Sequence, residues 1–136
     1  MKIMAVDYGD ARTGLAVCDR TEFLASPVGT IEEKSFAKVA EKIVYATREF
    51  DVGMVVIGLP KNMDGTAGPR AEKAMRFKGL LEARCGKPVI LWDERRTSID
   101  AHRILHENGR RMKSHKENVD AVAASLILEG YLQTLN

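Results

Sequence analysis

A chain of 136 residues has the length of one domain and can bury roughly 68–70% of its unfolded surface, enough for a core without staples. Apolar residues make up 45% and charged residues 29%, and the net charge of +2 is only mildly basic, the ordinary profile of a soluble globular protein. Two cysteines, Cys18 and Cys85, make neither a metal pattern nor a disulfide framework, and the longest apolar stretches, near 52–59 and 121–128, are far too short to span a membrane.

In chain order, Lys2–Val6 reads as a first strand and Thr13–Cys18 as a second, with the residues around Gly9 forming a tight hairpin turn. Cys18 falls inside that strand pattern, where a small buried hydrophobe is expected. Asp7 and Asp10 interrupt the start before any apolar core forms, so no signal peptide is expected and the protein is expected in the cytoplasm. Leu24–Ile31 reads as a third strand, and Pro27 with Gly29 assigns it to a sheet edge or a bulge.

The period then changes. Phe36, Val39, Ala40, Ile43, Val44, Thr47 and Phe50 recur at helical spacing, with Ser35 as N-cap. Val52–Leu59 is a continuous apolar run, the mark of a strand covered on both faces. A glycine-rich loop follows, but no Gly-Lys-Ser/Thr closes it, so it is not a phosphate-binding P-loop. Arg70–Arg84 reads as a second helix burying Ala71, Ala74, Met75 and Leu81, with Gly86 as its stop.

Val89–Trp92 is the fifth strand, with Trp92 expected in the core. Thr97 caps a helix ending at Gly109, and Asn118 caps a last helix reaching about Leu132. The order β-β-β-α-β-α-β-α-α joins hairpin-linked strands to strands linked by right-handed parallel crossovers, which gives a five-stranded mixed sheet in a single domain over 1–136.

The acids stand out against this frame. Asp7 ends the first strand, Asp93 and Glu94 end the fifth, and Asp120 opens an almost wholly apolar helix. In open α/β sheets ligands collect at the carboxyl ends of strands. Two like charges about 5 Å apart repel by roughly 3 kcal/mol at an effective dielectric near 20. Converging carboxylates therefore call for a cation, and an all-oxygen set favours Mg²⁺ or Mn²⁺ over zinc. His102 and His106 stand four apart on a helix but lack a third ligand. The small residues Ala121–Ala124 let the last helix approach the sheet, bringing Asp120 towards the strand ends. Between His102 and Lys116 lie Arg103, Arg110, Arg111, Lys113 and Lys116 with Glu107 as the only acid, a possible phosphate footprint.

At this point a resemblance emerges. Asp7, Gly9, Arg12, Gly14 and Ala16 fit a D-x-G-x-x-R-x-G-x-A start. Gly58, Pro60, Asp64, Gly65 and Gly68 fit a central loop. Asp93, Glu94, Arg95, Thr97 and Ser98 fit a D-E-R-x-T-S element, and Lys116 before Asp120, Ala123, Ala124, Ile127 and Leu128 fits an ending. Together these resemble the YqgF/RuvX family of RNase H-like nucleases from about residue 2 to residue 133. The resemblance implies an α/β ribonuclease H-like fold, sheet order 3-2-1-4-5 with helices on both faces, and a divalent-metal nuclease site. By position, Asp7, Glu94 and Asp120 would be the catalytic, metal-binding acids, with Asp93 as helper. One departure is that the stretch before the last Asp is less uniformly basic than is usual.

The family is associated with trimming the 5′ end of precursor 16S rRNA and with Holliday-junction resolution. The expected activity is thus hydrolysis of phosphodiesters by metal-activated water, on precursor rRNA or ribosomal particles, with branched DNA as the alternative. Arg12, Arg95, Arg110, Arg111, Lys113 and Lys116 would hold substrate phosphates. The protein would be a monomer or a homodimer. Two rival readings are a catalytically inert RNA-binding module of ribosome assembly and an ATP-binding fragment related to the actin and sugar-kinase fold, for which the chain is short by one lobe.

Overall fold

The computed structural model describes residues 1–19, 24–59, 68–93 and 119–135. Within them run β1 (Ile3–Asp7), β2 (Arg12–Cys18), β3 (Ala25–Glu32), α1 (Phe36–Glu49), β4 (Met54–Leu59), α2 (Pro69–Cys85), β5 (Val89–Asp93) and α3 (Val119–Thr134). The strands form one sheet in the order β3-β2-β1-β4-β5. β2 is antiparallel to both β1 and β3, while β1, β4 and β5 are mutually parallel. The mixed sheet and its order are those expected. The helix assigned to residues 98–109, with His102 and His106, and the cap at Asn118 lie outside the described residues.

The local signals act as their chemistry dictates. Ser35 caps α1, its hydroxyl accepting the Lys38 N–H at 3.4 Å, while the Glu33 carboxylate accepts the N–H groups of Lys34 and Ser35. α2 begins with Pro69 in its first turn and stops at Gly86, whose φ of 67° is the left-handed conformation that a Cβ disfavours. β3 lies at the sheet edge, and its pairing with β2 slips between Leu15 and Ala16, leaving Val28 as the extra residue between Pro27 and Gly29.

Two cores sandwich the sheet. On one side Met4, Val6, Leu15, Val55 and Ile57 pack against α1 and α2. On the other, Ile3, Ala5, Ala16, Cys18 and Val56 pack against α3 through Ala124, Ile127, Leu128 and Leu132. β4 contributes to both, as its unbroken apolar run requires. Cys18 is buried and its sulfur accepts the Ile3 N–H at 3.1 Å. Trp92 packs against the α3-side core, edge-on to Tyr131 with ring centroids 6.0 Å apart.

One expectation fails on α2. Met75 is 42% exposed, and the buried set is Ala71, Ala74, Phe77 and Leu81. At about 100° per residue, Met75 lies about 100° from the direction of Ala74 whereas Phe77 lies about 60° from it. Phe77 then joins a ring stack centred on Tyr8, 4.5 Å from Tyr8 and 5.8 Å from Phe36. That stack clamps the residue after Asp7 to the helical layer. Phe77→Ala is accordingly expected to lower the free energy of urea unfolding by about 3–5 kcal/mol. Met75→Ala should stay within about 1 kcal/mol of wild type; equal losses would contradict this assignment of the α2 face.

Candidate metal and phosphate site

The pleat of β1 decides where its terminal acid goes. Ile3 and Ala5 belong to the α3-side core, Met4 and Val6 to the other, so Asp7 falls on the α3 side. Across the hairpin, Asp7 is in register with Gly14, which shares that side with Ala16 and Cys18. The first turn of α3 rests directly on Gly14. A Cβ there would collide with the Asp120 carbonyl and press on the Ala121 nitrogen. Ala121 and Ala124, essentially fully buried, complete the close contact. A bare backbone in β2 and small residues in α3 together bring Asp120 beside Asp7.

The first residue of β2 is Arg12, two residues before Gly14 and on the same side. Its guanidinium lies between Asp120 and Glu32, with Nε 3.5 Å from Asp120 Oδ2 and Nη2 3.5 Å from Glu32 Oε1. The Nε is buried and has no hydrogen-bond partner, so the link to Asp120 is electrostatic. Sequence assigned Arg12 to substrate phosphates; in the structure its charge is engaged with a neighbouring carboxylate.

Burial, followed by the negative charge of Asp120, pushes the Asp7 carboxyl up to about 6, with the positive charge of Arg70 opposing the rise. Arg70, in the first turn of α2, is a residue that sequence reasoning missed. Its only sequence signal is a position just after the glycine-rich loop that leaves β4.

The structure thus brings Asp7 and Asp120 together. Asp93 sits at the same rim of the sheet, paired with Leu59, but alternation after Leu91 and Trp92 assigns it to the α1/α2 side, opposite Asp7. Glu94, Arg95, Arg110, Arg111, Lys113 and Lys116 lie outside the described residues. Among the described residues no group of three or more His, Cys, Asp or Glu could hold an ion. The Asp7–Asp120 pair offers only oxygen donors, in a setting where ionising both carboxylates is unfavourable. Those are properties that fit a hard divalent cation.

The chain matches, over residues 1–134, the family described as RuvX, Holliday junction resolvase. A relative from Thermoanaerobacter pseudethanolicus, by name a pre-16S rRNA nuclease, is 42% identical over 98% of this chain and 97% of its own length. A relative of the same name from Listeria monocytogenes is 42% identical over the whole of both chains. Among solved structures, the Thermus thermophilus RuvC in complex with a Holliday junction substrate superposes with a TM-score of 0.65 at 12% identity, covering 100% of this chain and 97% of that one. The fowlpox virus resolvase with Holliday junction DNA gives 0.60 at 15% identity, covering 99% of each chain. These two likenesses show the fold.

Two outcomes follow from the geometry. Gly14→Ala is expected to destabilise the protein by at least about 1–3 kcal/mol, because backbone must move. By lifting Asp120 away it should also lower the Asp7 titration midpoint, read by carboxyl-carbon NMR. The second concerns pH. With Asp7 at about 6 in the folded chain and 3.8 ordinarily, the folded state binds the proton more tightly. Stability from this group is therefore greatest at acid pH and falls, by up to about 3 kcal/mol, as pH rises from about 4 to above 6. Asp7→Asn should abolish that fall in metal-free urea titrations; parallel pH profiles for the two proteins would refute the assignment.

Proposed function

The chain belongs to the RuvX family, and from that premise we propose that it is a divalent-metal-dependent nuclease that hydrolyses phosphodiester bonds at the 5′ end of precursor 16S rRNA. The observation that carries this reading is the half-buried Asp7 carboxyl held beside Asp120 at the carboxyl rim of the parallel strands. Asp7, Asp120 and Glu94 would hold Mg²⁺ or Mn²⁺, while Asp93, on the opposite face of the same rim, is left out of the ligand set. Bound there, such an ion polarises a phosphoryl oxygen and makes water nucleophilic at neutral pH.

The chain's own groups have separable tasks. Near pH 7 Asp7 is mostly ionised, with its charge tempered by Arg70, and is available as an oxygen donor. Arg12 opposes Asp120 and keeps its carboxylate oriented across the hairpin. Glu32, level with Arg12 on β3, steadies the guanidinium from the far side. Arg95, Arg110, Arg111, Lys113 and Lys116 are the cations we assign to substrate phosphates. No helix among the described residues is long and apolar enough to cross a membrane.

The rRNA substrate is supported by the names of the full-length relatives. The family description favours a second reading, a resolvase of four-way DNA junctions. Incubating precursor rRNA and a four-way junction separately with Mg²⁺ or Mn²⁺ discriminates them. Site-specific cleavage of the rRNA alone supports the first reading, and paired symmetric cuts in the junction support the second. Tight RNA binding without cleavage at any metal concentration would leave only an inert RNA-binding module. Asp7→Asn should eliminate cleavage in either case. Arg12→Ala, which removes a supporting residue, should cost about 10–100-fold.

A further inference from the structure

The basic residues assigned to substrate so far lie beyond β5, yet α2 carries a second set. Arg70, Lys73 and Arg76 recur at steps of three along its first two turns, spanning about 9 Å of helix axis. Lys73 reaches back to the hairpin turn after Asp7, where its ammonium pairs with Asp10 Oδ1 at 2.7 Å. Between them opens a small cleft lined by Tyr8, Gly9, Asp10, Arg70, Lys73 and Ala74.

Three features distinguish this place from an ordinary solvated helix face. Arg70 and Arg76 form no ion pair among the described residues, whereas Lys78 and Arg84 further along α2 pair with Glu82 and Glu41. Among the residues lining the cleft, Asp10 is the one acid against Arg70 and Lys73, and it is satisfied by Lys73. The aromatic wall is rigid as well: Tyr8 stacks on Phe77 and on Phe36, so its position relative to α2 is fixed by packing. The turn that carries Tyr8 and Asp10 begins directly after Asp7 at the end of β1, so the cleft adjoins the acids.

We propose that Arg70, Lys73 and Arg76, with the Tyr8 hydroxyl, form a track for the sugar–phosphate backbone of a single nucleic-acid strand, leading from Asp7 onto the α1/α2 side. Asp10 occupies Lys73 in the free protein and yields it to a phosphate on binding. The track rests on the nuclease reading and deepens it, because it gives the substrate strand a second flank beside the acids.

The test uses a fluorescein-labelled single-stranded RNA, bound in EDTA so that neither cleavage nor bound metal contributes, across a series of KCl concentrations. Each cation that contacts a phosphate of a single strand contributes about 0.7 to the slope of log affinity against log salt. The Arg70→Gln/Lys73→Gln double variant should bind more weakly and lose about 1.4 from that slope. Asp10→Asn should bind more tightly than wild type, since Lys73 is released. Unchanged affinity and slope in the double variant, weaker binding by Asp10→Asn, or a wild type that binds no RNA would each overturn the track. Thermal melts confirm that the exposed substitutions leave the fold intact. Cleavage in Mg²⁺ by a wild type whose double variant binds normally would sink the track alone. Arg70- and Lys73-dependent binding without cleavage by wild type in any divalent cation would sink the nuclease reading alone.

Discussion

A helix can rest on a strand only as closely as the side chains between them permit, and at Gly14 there is none. The backbone of Asp120 settles where a Cβ of β2 would otherwise stand. Since Gly14 is in register with Asp7 across the hairpin, this one contact sets the distance between two acids more than a hundred residues apart in the chain. Arg12, in phase with Gly14 on the same strand, is thereby delivered to Asp120. The buried alanines of α3 extend the contact, while the larger Ile127, Leu128 and Leu132 anchor the rest of the helix on the sheet.

The arrangement is electrostatically unfavourable in isolation. Burial and a like charge both resist ionisation of Asp7; Arg70 from α2 opposes that effect, while Arg12 from β2 faces Asp120. Such stress persists only where packing over-determines the geometry. Here β1, buried from Ile3 to Val6, the Tyr8–Phe36–Phe77 stack behind it and the backbone contact at Gly14 hold the acids in place. Proteins commonly concentrate destabilising features at sites that bind or react, and accept the loss of stability there. The pair of acids fits that pattern.

The fold supplies the scaffold and the residues supply the chemistry. Parallel β1, β4 and β5 present their carboxyl ends at one rim, which is why Asp7 and Asp93 can share it. The pleat then separates them onto opposite faces. Asp93 therefore stands differently towards Asp7 than a reading of both as strand-terminal acids suggests.

Among the described residues the element types, the caps at Ser35 and Gly86, the edge strand with Pro27 and the burial of Cys18 were legible in the sequence, because they depend on local periodicity and on backbone preferences of single residues. The strand order was implied by the family resemblance, not by periodicity. The family motifs likewise singled out Asp7, Gly14 and Asp120, though not the contact that joins them. Other features depend on contacts between distant elements. The buried face of α2 turned on which of Met75 and Phe77 met Tyr8, and the role of Arg12 on where α3 came to rest. The charge of Arg70 beside Asp7 and the pairing of Lys73 with Asp10 arise only when α2 lies along the sheet. Periodicity specifies which side of an element is buried, but the neighbour it meets, and so the charge each acid feels, is decided by packing in three dimensions.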